Sequence, residues 1–381
     1  AHAATFLKYP DRKPVLPQTV QGIQSGNPGA ATSNNQNMET ELYIGLMSGT
    51  SADGMDAALV DFAQGAPRLL DALCLPYEAD FRQQLRTLAV ARDADINGIA
   101  LLERRIAALS TDAVMQLLQR NSLSAADVRA VGSHGHTLRH RSQPDGFSWQ
   151  LDDPSWIAEH TGICCIADFR RRDIAAGGQG APLVPAFHQH CFGRNVQVLN
   201  IGGIANLSVL PTDSQPDSMM GFDTGPGNAL LDEWCQKYFG CPRDDRGQLA
   251  ANGKVISYLL DDWLSQPYFQ LSPPKSTGRE LFRLEHLGDL NHEDPQDVLS
   301  TLTELTVQSI ALAIRQFGHA TGELLVCGGG VHNHYLMQRL QQVLPQLQVQ
   351  STAKRGIDPD WMEAMAFAWL AQRTLEGLSG N

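Results

Sequence analysis

Paired cysteines, an excess of basic residues and long apolar runs are all missing from this chain of 381 residues, and each absence removes a class of function. The seven cysteines, Cys74, Cys164, Cys165, Cys191, Cys235, Cys241 and Cys327, are odd in number and show no Cys-x-x-Cys spacing, so neither a disulfide framework nor a zinc site is indicated. They read as reduced thiols of a cytoplasmic protein. Cys164 and Cys165, inside an apolar run, read as buried small hydrophobes. Lysine and arginine number 29 against 41 acidic residues, and a net charge of −12 does not suit a nucleic-acid partner. An anionic ligand must therefore be met locally. No uninterrupted apolar run reaches the roughly 18 residues that a membrane span requires, so no membrane partner is expected. The commonest nucleotide signatures are also missing: there is no Gly-x-x-x-x-Gly-Lys-[Ser/Thr], and no Gly-x-Gly-x-x-Gly between a strand and a helix.

What is present is an ordinary globular balance, 43% hydrophobic and 18% charged, on a chain longer than the ~250 residues at which single cores stop growing. Two domains are expected. Residues 1–40 are polar and rich in Gly, Pro, Ser, Asn and Gln, and read as a leader outside the fold, with Met38 just ahead of the first patterned segment.

From there an order of elements appears twice. Leu42–Met47 and Met55–Phe62 are strands joined by a polar glycine turn, Arg68–Leu75 is a third strand, and Leu102, Ile106, Leu109, Ala113 and Leu117 share a helical face. Val128–Gly132 is a fourth strand, ending in Ser133-His134-Gly135-His136-Thr137. Asp153 caps a helix opened by Pro154 and closed by Gly162, and Ile163–Ala167 follows as a fifth strand. The second pass runs Val196–Ile201, Gly202-Gly203, Ala205–Leu210, Met219–Phe222, a helix from Asn228, and then, after a helix-rich insertion, a helix marked by Val307, Ile310, Ile314 and Phe317. Leu324–Cys327, Gly328-Gly329-Gly330, a helix on Leu336, Leu340, Val343 and Leu344, and Leu347–Val349 complete it. Asp358 and Pro359 open a last helix bearing Met362, Met365 and Trp369. The repeat predicts two related α/β domains whose glycine turns converge on one cleft.

Those turns carry the chemistry. Gly221-Phe-Asp-Thr-Gly-Pro-Gly-Asn228 sets Asp223 among three glycines and a proline, where backbone approaches a ligand closely; the same residues also suit a strand-to-helix turn in which Asp223 caps the helix. Ser48 to Asp56 combines hydroxyls, open amides and two carboxylates, a set able to cradle phosphate oxygens and to hold magnesium through water by Asp53 or Asp56. Asn200 to Asn206 is the equivalent turn of the second half, and Cys327 to Asn333 offers three bare glycines against which a base or ribose can lie. Asp168 to Pro185, with Arg170, Arg171 and Arg172 beside a glycine loop, suits a carboxylate or phosphate, or equally a solvated linker. His134 and His136 have metal-pair spacing on a strand but no third ligand nearby.

Five segments, 45–56, 133–137, 168–185, 200–206 and 221–228, together resemble the bacterial anhydro-N-acetylmuramic acid kinases, and the likeness runs from about Tyr43 to about Leu375. The resemblance implies the duplicated ribonuclease-H-like fold of the actin, sugar-kinase and heat-shock ATPase group, with mixed five-stranded sheets flanked by helices and an interdomain cleft. It implies a first domain of residues 41–169 plus 361–381 and a second of residues 170–360. It also implies ATP and Mg2+ as cofactors, 1,6-anhydro-N-acetylmuramic acid as the small-molecule partner, and conversion of that sugar to N-acetylmuramic acid 6-phosphate in cell-wall recycling, with a homodimer left open.

Residue by residue, the resemblance makes Asp223 the general base. It gives Gly49, Thr50, Ser51, Asp53, Gly54, Met55, Asp56, Gly202, Gly203, Asn206, Gly328, Gly329, Gly330 and Asn333 to ATP, and Thr137, Arg172 and Glu363 to the sugar. His136 departs from the glutamine usual at that place. A kinase of the same fold acting on a plain hexose, and an ATP-driven chaperone or filament subunit, are the competing readings.

Overall fold

The computed structural model describes residues 40–91, 93–141, 146–278 and 281–380. The expected leader lies outside the described residues, apart from Thr40. Strands Leu42–Ser48 (β1), Gly54–Asp61 (β2) and Arg68–Pro76 (β3) form an antiparallel meander. Val128–Arg141 (β4) returns parallel to β1, and Phe147–Leu151 (β5) and Cys165–Ile166 (β6) both pair with it. Every residue of β1 is buried, as expected of a strand covered on both faces.

The second sheet repeats this plan. Val196–Ile201 (β7), Ile204–Val209 (β8) and Met220–Pro226 (β9) form the meander, and Gly322–Cys327 (β10) and Leu347–Ser351 (β11) add in parallel. The order β3-β2-β1-β4-β6 in one sheet matches β9-β8-β7-β10-β11 in the other, strand for strand and direction for direction. The duplicated α/β fold read from the repeat is present.

Several local expectations change. The first sheet has six strands rather than five, because β4 does not stop at Gly132 but runs on to Arg141. Its first half pairs with β1 and β6, and its second half finds antiparallel partners in β5. Strand β9 likewise carries Asp223 inside the ladder, not in a turn capping the next helix; that helix, Ala229–Tyr238, has Asn228 at its cap, whose side chain donates to the Ile201 carbonyl at 3.0 Å and not to the helix. The last helix is Met362–Leu375 and begins beyond Pro359, because Asp358 turns the chain locally by accepting from the Asp360 N–H at 2.9 Å. Cys164 is exposed and Cys165 half-buried, since β6 is only two residues long and lies at the sheet margin. By contrast Asp153, Pro154 and Gly162 bound the helix Pro154–Thr161 as expected, with Asp153 accepting from the Trp156 N–H at 3.0 Å.

The helix Met362–Leu375 packs on β1 and β4, where Gly45 and Gly132 leave no room for a side chain: a Cβ at either would overlap the carbonyl of Ala364 or Phe367. The helix is buried all round from Ala364 to Ala371, and its Met365, Phe367 and Trp369 join Tyr43, Ala58 and Val60 of the first sheet to Val196, Val198 and Leu325 of the second in one core. This helix is the seam between the halves. Pro295–Phe317 is long and apolar enough to cross a membrane, but 83% of that apolar window is buried within the protein, and the helix forms the centre of the second core with Leu302, Leu305 and Ile310.

Candidate active site

Asp223 is 6% exposed on β9, opposite Asn206 of β8. Its surroundings come from the insertion, a stretch whose sequence had not suggested a site. The Thr277 N–H donates to Asp223 Oδ2 at 2.8 Å, the Tyr268 hydroxyl donates to the Asp223 carbonyl at 2.8 Å, and the Asp223 N–H donates to the Lys275 carbonyl at 3.1 Å. One carboxylate oxygen is thus oriented by backbone. Lys275 itself is 6% exposed.

Arg170, on the helix Phe169–Ala175, connects this acid to the rest of the site. Its Nε donates to His134 Nε2 at 2.8 Å and its guanidinium donates to the Gly180 carbonyl at 2.8 Å. Since an arginine can only donate, His134 accepts at Nε2, carries its proton at Nδ1 and donates to the Gly135 carbonyl at 2.9 Å. Burial, and then Arg170, hold His134 well below the ordinary histidine range, so it stays neutral. It supports Arg170, with both ring nitrogens engaged in hydrogen bonds. Burial also pulls the Arg170 guanidinium down, against the opposing pull of Glu363, Asp223 and Asp173. Glu363, in the first turn of the last helix, is pushed up by burial and restrained by Arg170 and Asn200. Asp223 and Asn200 of the second sheet, His134 of the first, Arg170, and Glu363 of the seam helix are therefore linked in one site.

On the first sheet, Ser48 Oγ accepts from the Tyr77 hydroxyl at 2.9 Å and pairs with His136 Nδ1 at 3.0 Å, anchoring the base of the turn from Gly49 to Asp53. Thr50 is exposed and Ser51 half-exposed. Asp53, 62% exposed, lies 3.6 Å from Arg82 and 3.7 Å from Arg86. Asp56 is pushed up to about 6 by burial, with Glu363, Asp360 and Asp53 adding to the rise and the Cys74 thiol opposing it. On the second sheet, Gly202 and Gly203 accept the N–H groups of Asn228 at 2.8 Å and Gly227 at 3.0 Å, so the Gly-Pro-Gly-Asn segment lies on the second glycine turn. The glycines divide in two. Gly49, Gly202 and Gly329 face room, with no neighbour within 3.6 Å of an added Cβ, whereas Gly54, Gly227 and Gly330 are packed too closely to accept one. Gly328 has a φ of +77°.

Four further expected site residues differ in what they offer a ligand. Met55 has its side chain wholly inside the first core, so only its backbone is available. Asn333 caps the helix His334–Val343, its Oδ1 accepting from the Leu336 N–H at 2.9 Å. Arg172 is exposed, and of the three successive arginines it is Arg170 that turns inward. Thr137 is half-buried, its hydroxyl accepting from Gln150 at 3.1 Å.

The sequence profile of the family described as anhydro-N-acetylmuramic acid kinase matches residues 41–381. The chain belongs to that family. A relative of this name from Xanthomonas oryzae pv. oryzae (strain MAFF 311018) is 47% identical over 357 residues, covering 91% of this chain and 94% of its own. Those from Shewanella baltica (strain OS185) and Pseudomonas putida (strain KT2440) are 48% identical, the first covering 90% of this chain and 95% of its own, the second 89% and 94%. The chain is accordingly an ATP-using kinase with a small-molecule substrate.

In this anhydro-N-acetylmuramic acid kinase the surroundings of Asp223 include Tyr268, Lys275 and Thr277, which the sequence did not single out, and Arg170, which it left undistinguished from Arg171 and Arg172. Lys275 and Thr277 sit in a Pro-Pro-Lys-Ser-Thr-Gly stretch, residues 273–278, inside the region read only as a helix-rich insertion; its proline and glycine punctuation is the one signal that it forms a loop. The residues also fit a magnesium-nucleotide. Among the described residues Asn200 Oδ1 and Asn206 Oδ1 are buried acceptors with no hydrogen-bond partner, suited to ribose hydroxyls or metal-bound water, and the buried Asp56 has three further carboxylates, Glu363, Asp360 and Asp53, acting on it.

Proposed function

We propose that this kinase opens the internal ether of 1,6-anhydro-N-acetylmuramic acid with water and phosphorylates the freed 6-oxygen, giving N-acetylmuramic acid 6-phosphate and ADP in the cytoplasm during cell-wall recycling. The observation that carries the reading is Asp223: a buried carboxylate whose Oδ2 is fixed by the Thr277 N–H, facing Arg170. Asp223 takes a proton from water as its oxygen bonds to the anomeric carbon, and the bond from that carbon to the 6-oxygen breaks. The 6-oxygen forms a new bond to the γ-phosphorus of ATP, and ADP leaves with the electron pair of the broken P–O bond.

Arg170 and Arg172, with Thr137 and Glu363, would hold the sugar. Gly49 to Asp56, Gly202, Gly203, Asn206 and Gly328 to Gly330 would meet the nucleotide largely through backbone. Asp53 and Asp56 would hold Mg2+ through water, and the ion would neutralise charge on the phosphates. Residues 41–169 with 361–381 and residues 170–360 act as two lobes that close on ligand. Turnover in heavy-oxygen water tests the reading: label is expected at the anomeric hydroxyl of the product, and its appearance in phosphate, or nowhere, would refute it.

A further inference from the structure

We propose that Lys275 is a positioning residue for this reaction, its ammonium serving as the buried countercharge that keeps the Asp223 carboxylate ionised and aimed into the site; the inference rests on Asp223 being the base. A lysine is rarely buried without a partner, and methionine would fill the same space without the cost of desolvating a charge. Lys275 is nevertheless 6% exposed, with Nζ 3.3 Å from the Tyr268 carbonyl, 4.8 Å from the centre of the Tyr268 ring and 6.0 Å from that of Phe222. Phe222 immediately precedes the acid, and Tyr268 binds the acid's own carbonyl through its hydroxyl at 2.8 Å.

The contacts close a ring. The Asp223 N–H donates to the Lys275 carbonyl at 3.1 Å, the Thr277 N–H donates to Asp223 Oδ2 at 2.8 Å, and Tyr268 touches both Asp223 and Lys275. The geometry sets the ammonium against Tyr268, which itself contacts the acid; in keeping with that placement, burial lowers the lysine's affinity for its proton and Asp223 raises it again. Among the described residues Arg170 also feels Asp223 and is shared with Glu363 and Asp173; the Tyr268 hydroxyl is pushed up by burial and by Asp223. Lys275, in contrast, has no second carboxylate acting on it.

The Ser276 hydroxyl of the same loop lies 3.3 Å from His140 Nε2 on β4, so the segment that carries the countercharge also contacts the first sheet. Burial lowers His140 to about 4, which leaves it neutral and outside the charge balance.

The test is the pH dependence of sugar-dependent ADP release by Lys275→Met, Lys275→Gln and Lys275→Arg, with the KM for ATP measured alongside. Without the countercharge the base ionises less readily, so the acidic limb of kcat/KM for the sugar should move up by about one pH unit in the Met and Gln variants. The Arg variant should restore most of it, and the KM for ATP should stay within about twofold throughout. Lys275→Gln keeps a hydrogen-bond donor, and so remains informative should Lys275→Met fail to fold. An unmoved acidic limb in the neutral variants, whatever their kcat, would make Lys275 a packing residue and overturn the inference. Asp223→Asn separates the two ideas: if it retains turnover, the base assignment itself fails, whereas if it is inactive and the lysine variants leave the limb in place, only the inference fails.

Discussion

The Gly328 N–H donates to the Pro359 carbonyl at 2.9 Å, tying the third glycine turn to the segment that leads into the last helix. Four residues beyond Pro359 lies Glu363, which is linked electrostatically to Arg170 and Asn200. The bond from Gly328 to Pro359, with the His332 Nε2 contact to the Asp360 carboxylate at 2.8 Å, ties the turn proposed for nucleotide to the segment before the helix proposed for sugar.

Gly328→Ala tests that coupling. The residue has a φ of +77°, and an added Cβ would overlap Asn200 Oδ1 and sit 2.9 Å from the Ile201 carbonyl, so both backbone and space oppose a side chain. A loss of ~1–3 kcal/mol in stability is expected, with a raised KM for ATP, measured by denaturant unfolding and steady-state kinetics.

Asp223→Asn removes the proposed proton acceptor while keeping the shape of the residue. Turnover should fall by ~10²–10⁴-fold, with ATP affinity near that of the parent, because the amide cannot take a proton from water. Isothermal titration with a non-hydrolysable ATP analogue, set beside the turnover assay, checks both halves; equal loss of nucleotide binding would contradict the assignment.

Arg170→Met leaves Glu363, Asp223 and Asp173 without the cation they share. The expected result is a fall in kcat/KM for the sugar of at least ~10²-fold, consistent with the cost of leaving buried charge uncompensated. Arg170→Lys should recover little, since a single ammonium cannot reach both His134 and the Gly180 carbonyl, which the guanidinium meets at 2.8 Å each.

Away from the site, Glu304 of the helix Pro295–Phe317 is 4% exposed and meets Arg339 at 2.9 and 3.0 Å. Burial pushes the Glu304 carboxyl up, but hydrogen bonds from Arg339 and Gln308 outweigh it, leaving it below its ordinary 4.5. The sign follows: because the folded protein holds the proton less tightly than the unfolded chain, this pair stabilises the fold above the unfolded value of 4.5 and the gain is lost as pH falls through the lower folded value. Arg339→Met should cost ~3–5 kcal/mol near neutral pH by stranding the carboxylate, and less in acid, as read from the midpoint of thermal unfolding against pH.

Short-range chemistry was legible in the sequence. The glycine turns, the cap at Asp153, the stop at Gly162 and the repeated strand order all follow from local periodicity and backbone permission, and the two sheets carry them in matching topology. Asp223 stood out as a candidate for the same reason, since a carboxylate set among Gly221, Gly225, Pro226 and Gly227 draws notice. What tertiary structure decided was direction and company. Arg170, Arg171 and Arg172 are indistinguishable as a string, but successive helical residues point about 100° apart, so packing against His134 selects one of them for the interior. Likewise β4 runs past its glycine because β5 is there to pair with it, and Lys275 meets Asp223 across 52 positions of chain through a loop whose sequence holds no sign of the acid it wraps. Residues close in sequence constrain one another by sterics alone, whereas partners far apart are chosen by burial and charge once the chain has closed.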